Sequence, residues 1–399
     1  MSGAIRKITL RGVNNLQLDF HYYATYCAAY LAGYSHEEAL ELCYSAQFVD
    51  CCTKSYLKSI SASVHAATTQ TQAELLDMRT DLSGLQDITR IWASFHFLPK
   101  DLYAKTPRAT KTYKNKYRLI CGPDGTLVAD TVELAKGKSI QAAGIAMHVL
   151  ADTWAHQRFA GTPSLAINMT DKKFEEILFD GSTRKLTFKH APGLSDDIEK
   201  GVINSTVFNT SEYSILNLGH GHAGHLPDYS FITYKYMPAW DCYRECIKDN
   251  PSDYRQAFCQ MIYAMKYLNG TVDVFETGKY DEEAVRPYEE RLMEILTRRQ
   301  LDGSLDWKAF AKDLSGKDIP DFDVNAYAEE YKNAAAEAKD DTFLGRFIVA
   351  AMSQKSMVTN KIYRSGNRLA GLSVEYNKKG FGGIKDYFKL VSDNSRSKT

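Results

Sequence analysis

Apolar residues recur every three or four positions through much of the chain, a spacing that predicts amphipathic helices. The clearest start lies at Ser35 and Glu38, which form a capping box before an apolar stripe that runs to about Asp50. A preceding helix is predicted over 20–32 and is expected to end at Gly33. Further helices are predicted over 57–69, 136–159, 254–268, 282–299, 324–338 and 341–356.

Strand signals are short and lie in the middle of the chain. The segments 117–121 and 126–129 flank Gly-Pro-Asp-Gly, which predicts a hairpin. The segment 174–188 alternates around Asp180 and Gly181 and predicts a second hairpin, whereas 199–210 is expected to be a loop or a weak helix.

These elements predict one mainly helical domain over 1–399 with two small β-hairpin insertions, since the chain has no internal repeat and no Pro/Ser-rich linker. Within it, 18–240 carries the candidate ligands described below and is expected to be a metal-binding core. Helices over 241–392 are expected to pack on that core, and the polar segment 393–399 is expected to be a disordered tail.

Composition narrows the classes of partner. The 49 basic and 49 acidic residues give a formal net charge of zero, so the chain has no general attraction to nucleic acid or to anionic membranes. The eight cysteines include no CxxC pair and are expected to be free thiols in a reducing compartment. We expect a cytoplasmic protein without a transmembrane segment, because neither a signal peptide nor an apolar run of ~20 residues is visible. Export by a route that needs no signal peptide would not be recognisable from the sequence.

Three chemically active side chains recur at steps of four in the segment AMHVLADTWAHQRFAG. His148, Asp152 and His156 would form one column on a helix. Imidazole and carboxylate groups are the usual ligands of zinc and related ions, and a bridging Asp152 could link two ions ~3.5–4 Å apart. The alternative is a polar helix face whose histidines are satisfied by hydrogen bonds, which the apolar neighbours make less favourable.

The glycine- and histidine-rich segment GHGHAGHLPD is a second candidate for metal binding. Its glycines allow tight turns, so several side chains could converge. We expect His222, His225 and Asp228 to be ligands and His220 to take an outer role. The alternative is a loop whose histidines are incidental.

Four further residues are candidates from separate segments. Asp19 and His21 would point to the same side of an extended segment before the first helix, although Asp19 is also a plausible N-cap. Asp50 lies near a helix C-terminus, where a carboxylate opposes the helix dipole unless a positive charge compensates. His96 stands alone among apolar residues, so a metal ligand and a hydrogen-bonded core histidine are equally compatible with its context.

The segments LDFH (18–21), AQFVD (46–50), FHFLP (95–99), HVLADTWAH (148–156) and GHAGHLPD (221–228) look like those of an uncharacterised bacterial family. Their order, and the His-x3-Asp helix with a later His, resemble the zinc-dependent phospholipase C and fungal single-strand nuclease superfamily. The resemblance covers roughly 18–240. It implies a phospholipase C-like helical fold, a cluster of three zinc ions and cleavage of phosphodiester bonds.

The sequence departs from that superfamily in three ways. No processing site supplies the N-terminal Trp that ligates zinc in phospholipase C, and the gap between Asp152 and His156 is shorter. The later His-x3-Glu is replaced by His222, His225 and Asp228. We therefore expect a divalent metal, most simply zinc, at one to three ions per chain.

The predicted function is a metal-dependent hydrolase of a phosphate ester or phosphodiester, with Asp152 or Asp50 orienting the attacking water. The alternative is a non-catalytic metal-binding or interaction protein on the same helical scaffold. A small-molecule or lipid phosphoester is the expected substrate, nucleic acid is not favoured, and a homo-oligomer is compatible with the sequence. The basic segment 105–118 could meet substrate phosphate, but a solvated charged insertion is the favoured interpretation.

Overall fold

The computed structural model describes residues 18–71, 73–75, 82–105, 117–162, 165–171, 173–191, 194–205 and 221–367. These residues are mainly helical and include two small sheets, so the predicted mainly α class is confirmed. The predicted tail 393–399 lies outside them. The α-helices are α1 (Thr25–Leu31), α2 (His36–Phe48), α3 (Lys54–Ser59), α4 (Leu82–Phe95), α5 (Thr126–Ala135), α6 (Ile140–Ala155), α7 (Leu165–Asn168), α8 (Asn250–Leu268), α9 (Glu282–Val285), α10 (Glu289–Thr297), α11 (Ser304–Ser315), α12 (Ala328–Asn333) and α13 (Phe343–Arg364).

The first helices begin and end where the capping residues predict. A π-helical segment, Asp19–Ala24, runs directly into α1, and Gly33 ends that helix with φ +97°, a conformation that favours glycine. The Ser35 side chain accepts the Glu38 N–H while the Glu38 carboxylate accepts the Ser35 N–H, so the predicted capping box is confirmed.

Helix α6 lies at the centre of the molecule and contacts α2, α4, α5, α8 and α13. The closest approach is at Gly144, where an added Cβ would lie 2.5 Å from the Leu42 carbonyl oxygen and 2.5 Å from the Ser45 Cβ. Surrounded in this way, α6 buries polar and apolar residues alike, so its polar side chains must be satisfied inside the protein.

Two sequence predictions near the site are wrong. The segment 126–129 belongs to helix α5 and not to a hairpin, and Gly125 is the N-cap residue of that helix. Gly125 also lies against the chain at Lys100, where an added Cβ would be 2.2 Å from the carbonyl oxygen. The predicted helix over 57–69 is also interrupted, since α3 ends before Ser61, which has φ +58°. After a short 3-10 turn at Val64–Ala66, the chain continues without helix through Thr68.

The strands contribute to a second cluster of buried apolar side chains, which includes Phe97, Phe159, Ile203 and Tyr234. Strands β1 (Glu175–Ile177), β2 (Thr183–Lys185), β5 (Thr233–Tyr236) and β6 (Cys246–Asp249) form an antiparallel sheet in the order β2-β1-β5-β6, which confirms the hairpin at Gly181. Strands β3 (Thr187–His190) and β4 (Val202–Ser205) pair in parallel, so part of the segment expected to be loop or weak helix is a strand. Three-residue 3-10 turns occur at Leu226–Asp228, Ala239–Asp241 and Arg286–Tyr288, and a longer 3-10 segment spans Ala336–Asp341.

The C-terminal helices share the apolar core of the N-terminal ones. One continuous cluster of buried apolar side chains extends from Phe20 to Ile362, and α13 packs on both α4 and α6. Within the described ranges, no helix has the length and apolar character that crossing a membrane requires. All eight cysteines are free, and five of them are buried: Cys27, Cys43, Cys52, Cys121 and Cys259.

Candidate metal centre

Asp152 is the hub of a buried group of histidines. Its Oδ1 lies 3.1 Å from His21 Nε2, and its Oδ2 lies 3.0 Å from His96 Nδ1 and 3.2 Å from His148 Nε2. His156 Nδ1 is 3.5 Å from Oδ2. Four imidazoles from three segments of the chain therefore surround one carboxylate, which is 1% exposed.

The helix geometry explains how α6 presents this group. His148 and Asp152 are one turn apart within α6, and His156 follows as the C-cap residue, whose N–H donates to the Asp152 carbonyl oxygen. The column predicted from the sequence thus exists, but it faces the protein interior. His21 comes from the π-helical segment, and its ring stacks on the His148 ring with centroids 4.0 Å apart.

The electrostatics of the group favour an ionised Asp152. Burial opposes ionisation, yet the interactions with His156, His148 and His21 hold the pKa of this carboxyl well below its usual range. The carboxylates of Asp152 and Asp228 raise the pKa of His156 to about 9 although burial lowers it. Burial and the neighbouring His21 lower the pKa of His148 to about 4.

Two histidines are oriented by backbone carbonyl groups. His96 Nε2 lies 3.0 Å from the Thr68 carbonyl oxygen, and His156 Nδ1 lies 2.8 Å from the His96 carbonyl oxygen. A carbonyl oxygen only accepts, so each of these nitrogens carries the proton. In a neutral ring, His96 Nδ1 then holds a lone pair, which faces an Asp152 oxygen at 3.0 Å. His156, whose pKa is raised, can instead donate from Nε2 to Asp228 Oδ1 at 3.4 Å.

A lone pair that faces a carboxylate oxygen is repulsive unless a proton or a cation lies between them. An imidazole whose second nitrogen donates to a carbonyl group is the usual arrangement of a metal-ligating histidine. The group also contains ring nitrogens without a hydrogen-bond partner among the described residues, namely Nδ1 of His21 and of His148. Asp152 Oδ1 likewise accepts no aligned hydrogen bond, despite its 3.1 Å contact with His21. The donor set therefore fits a divalent ion.

Two overlapping sets of three residues have donor atoms close enough to hold one ion. One set is His21, His148 and Asp152, and the other is Asp50, His96 and His148, with all donor atoms of a set within 4.8 Å of one another. Donor atoms around a tetrahedral ion at about 2.1 Å lie roughly 3.4 Å apart. The two sets share His148, and Asp152 belongs to the first set alone.

Asp50 differs from the other members of the group by its exposure. It follows the C-terminus of α2, and its side chain is 25% exposed. Asp50 Oδ1 faces His96 Nδ1 at 3.8 Å and His148 Nε2 at 3.9 Å, while Gln47 Nε2 lies 3.4 Å from Oδ2. Asp50 is thus the member of the group most accessible to solvent.

The structure does not bring every candidate into the two ligand sets. Asp19 accepts the N–H groups of Phe20 at 2.8 Å and Gly303 at 3.0 Å, and its burial raises its pKa to about 6. Asp19 and His21 lie on a π-helical turn and not on an extended segment, so the geometric reason given for their convergence is wrong.

The histidine-rich segment divides into residues near the hub and residues beyond it. Asp228 meets His156, whereas His225 Nδ1 lies 3.0 Å from Asp196 Oδ2. His222 is buried but belongs to neither ligand set, and His220 lies outside the described residues. Of the basic segment 105–118, residues 106–116 also lie outside them.

Asp196 is a site residue that the sequence analysis missed. Its carboxylate accepts the Asn204 N–H at 2.5 Å and the Tyr229 hydroxyl at 2.7 Å besides facing His225. Burial raises the pKa of the Asp196 carboxyl, but the hydrogen bonds from His225, Tyr229 and Asn204 hold it below the ordinary value. No spacing rule relates Asp196 to His225, 29 residues away, so only the fold reveals the pair.

A cavity of about 220 Å³ lies beside Asp228. Its lining includes the carboxylates of Asp19, Asp196 and Asp228, together with His225 and Gln300. The cavity adjoins the His156 side of the group through Asp228, whose Oδ1 lies 3.4 Å from His156 Nε2.

Comparison with known proteins identifies the family but not an activity. The chain belongs to the DUF6765 family, a family of unknown function, whose model matches residues 16–362. The match spans both the His/Asp segments and the C-terminal helices. No curated protein and no solved structure matches the chain.

Proposed function

We propose that this protein is a metal-dependent hydrolase of small phosphate esters or phosphodiesters. The observation that carries the proposal is the hub of Asp152, in which four imidazoles surround one buried carboxylate. Hydrogen bonding of His96 Nε2 to the Thr68 carbonyl oxygen would leave the Nδ1 lone pair directed at an Asp152 oxygen, which a bound cation relieves.

The residues that would hold the ion or ions are the histidines and Asp152 of the two ligand sets, which share His148. Asp152 Oδ1 lies on the side of His21, and its Oδ2 lies on the side of His96 and His148. Zinc is the ion that best suits imidazole and carboxylate donors, at one to three per chain. Ions bound there would lower the pKa of a water molecule and neutralise charge on a phosphoryl oxygen.

Asp50 is the residue that we assign to proton transfer. Its carboxylate is partly exposed, so a water molecule can reach it, and its Oδ1 faces the hub. Asp152 is too enclosed for that role, because its oxygens already contact four imidazoles and it is 1% exposed. A carboxylate that accepts a proton from the attacking water contributes roughly 10²–10⁴-fold to rate in enzymes.

The order of the His/Asp segments supports a relationship to the zinc-dependent phospholipase C superfamily, and we propose a phospholipase C-like arrangement of helices around the hub. The volume of the cavity beside Asp228, about 220 Å³, favours a small substrate over a nucleic acid.

A non-catalytic metal site is the second candidate, and one observation favours it. His21, His96, His148 and Asp152 are each at most 3% exposed, as in closed structural sites, which keep no open position for water. The partial exposure of Asp50 is the feature that separates the two candidates.

The proposal is tested first by metal content and then by turnover. Mass spectrometry of untagged full-length protein should find one to three zinc ions per chain, reduced in His148→Ala and in Asp152→Asn. His65→Ala is the matched control, because His65 is exposed and belongs to neither ligand set. Hydrolysis of bis(p-nitrophenyl) phosphate or p-nitrophenyl phosphate should be lost with EDTA and restored by zinc.

The two candidates give different results in this experiment. Stoichiometric metal without turnover on any phosphoester would support the non-catalytic site. Protein that takes up no stoichiometric metal even after reconstitution would contradict both.

A further inference from the structure

A second and larger cavity lies between α3, α4 and α13. Its volume is about 560 Å³, and its lining residues are different from those of the cavity beside Asp228. Neither ligand set of the metal centre contributes to it. The proposed hydrolase activity therefore does not account for this cavity.

The lining carries an excess of positive charge. Lys54, Arg90 and Lys355 are its cations, and Asp87 is its one carboxylate. Asp87 is already paired, since its oxygens lie 3.2 Å from Lys54 Nζ and 2.8 Å from Arg90 Nη1. Counting only these lysine, arginine and aspartate side chains, the lining holds two positive charges more than its carboxylate neutralises.

Lys355 is the cation with the least compensation. Its Nζ donates to the Ala67 carbonyl oxygen at 2.8 Å, and none of the carboxylates in the described ranges forms an ion pair with it. Burial, together with the nearby Lys54 and Arg90, lowers the pKa of Lys355 to about 8. An ammonium group has three donors, so Lys355 can bind an anion while it keeps its contact with Ala67.

A hydroxyl group complements these cations. Thr359 lies one turn after Lys355 on α13 and also lines the cavity. Its Oγ1 is buried and has no hydrogen-bond partner among the described residues. A buried donor without a partner costs free energy, which a ligand oxygen in the cavity would offset.

We propose that this cavity binds a small molecule through an oxyanion, either a phosphate or a carboxylate group. Lys355 and Arg90 would supply the positive charge, and Thr359 would donate a hydrogen bond. Charge-assisted hydrogen bonds of this kind are the strong ones in proteins. The proposal is independent of the metal centre and of the hydrolase activity.

The two sites are close enough that an experiment must separate them. Lys355 contacts the Ala67 carbonyl oxygen, and the next residue, Thr68, supplies the carbonyl oxygen that orients His96. An anion could also bind to metal at the hub. A metal-centre variant is therefore a necessary control.

The proposal is tested by isothermal titration calorimetry, which measures the heat of binding to the full chain. The probes are sodium phosphate and, separately, sodium succinate, and sodium chloride at equal ionic strength is the reference. We expect saturable binding of at least one probe. Lys355→Met should raise its Kd at least about tenfold, since one charged hydrogen bond is lost. Lys355→Arg should keep most of the affinity, and Thr359→Val should weaken binding while leaving the fold intact.

Two controls locate the binding. Lys361→Met removes a lysine of α13 that pairs with Asp130 outside the cavity, and it should leave Kd unchanged. His148→Asn should also leave it unchanged. The stronger of the two probes assigns the oxyanion as phosphate or carboxylate. No saturable binding of either probe, or binding abolished by His148→Asn and not by Lys355→Met, would overturn the proposal.

Discussion

Without the ions that we propose, the stability of the protein should depend on pH on both sides of pH 6.5. Two histidines of the hub have opposite shifts. The pKa of His156 is raised to about 9, chiefly by Asp152 acting against burial, and that of His148 is lowered to about 4 by burial and by His21. Both side chains are at most 8% exposed, so solvent screens these interactions little.

Whether stability rises or falls with pH depends on whether the folded or the unfolded state binds the proton more tightly. His156 binds its proton more tightly in the folded protein, so its contribution to stability is complete below pH 6.5 and is lost as the pH rises through 9. His148 binds its proton more tightly in the unfolded chain. Its effect therefore lowers stability as the pH falls from 6.5 towards 4.

The magnitude is large compared with the total stability of a domain. At about 1.4 kcal/mol per pH unit, the rise of the His156 pKa from 6.5 to about 9 corresponds to about 3 kcal/mol, and the fall of the His148 pKa to about 4 corresponds to a similar amount. Typical free energies of unfolding are about 5–15 kcal/mol. The metal-free protein should thus be most stable near pH 6.5.

Urea unfolding in EDTA at pH 5, 6.5 and 8.5 measures this dependence. Asp152→Asn should flatten the change between pH 6.5 and 8.5, because protonated His156 loses its main carboxylate, while the loss of stability at pH 5 should remain. His65→Ala should behave as the native protein. Unfolding free energies of the native protein that are equal at pH 6.5 and 8.5 would refute the assigned charge of His156.

With zinc restored, the loss of stability above pH 6.5 should diminish or reverse, since a ligating imidazole must be deprotonated.

Two further predictions concern single residues. Gly144→Ala should lower the free energy of unfolding by about 1–3 kcal/mol, because its Cβ would lie 2.5 Å from atoms of Leu42 and Ser45, and an unchanged urea midpoint would contradict the close approach of α6 to α2. Asp50→Asn should retain more zinc than Asp152→Asn but lose about 10²-fold or more in kcat on bis(p-nitrophenyl) phosphate. Equal losses of metal in both variants would assign Asp50 to metal binding and not to proton transfer.

The sequence predicted the elements whose signals are local. The Ser35 capping box and the glycine that ends α1 depend on neighbouring residues only, and both are present. The spacing of His148, Asp152 and His156 likewise follows from helical periodicity, and the three residues do meet around the hub. Functional side chains that lie on one helix can therefore be predicted from the helical periodicity of the sequence.

Contacts between segments that are far apart in the sequence follow no periodic pattern, so the sequence did not predict them. The segment Gly-Pro-Asp-Gly has the composition of a hairpin turn, but Asp124 accepts hydrogen bonds from Gln260, Gly278 and Tyr280, far along the chain, and a helix follows. The carbonyl oxygen of Thr68 orients His96, yet any residue type could supply it. Asp19 in the same way meets the N–H of Gly303, which no sequence pattern marks.

The location of the hub is itself an argument for a function. Helix α6 is surrounded by other helices, and apolar residues at His148 and Asp152 would fill the same space without the desolvation cost of a buried charge. A carboxylate and four imidazoles there carry a desolvation cost, which the cation that we propose at the hub would offset. A cation needed for stability alone would be served by a fully enclosed donor set. The hub instead includes Asp50, whose side chain is 25% exposed, and this opening to solvent is what water-dependent chemistry at the site requires.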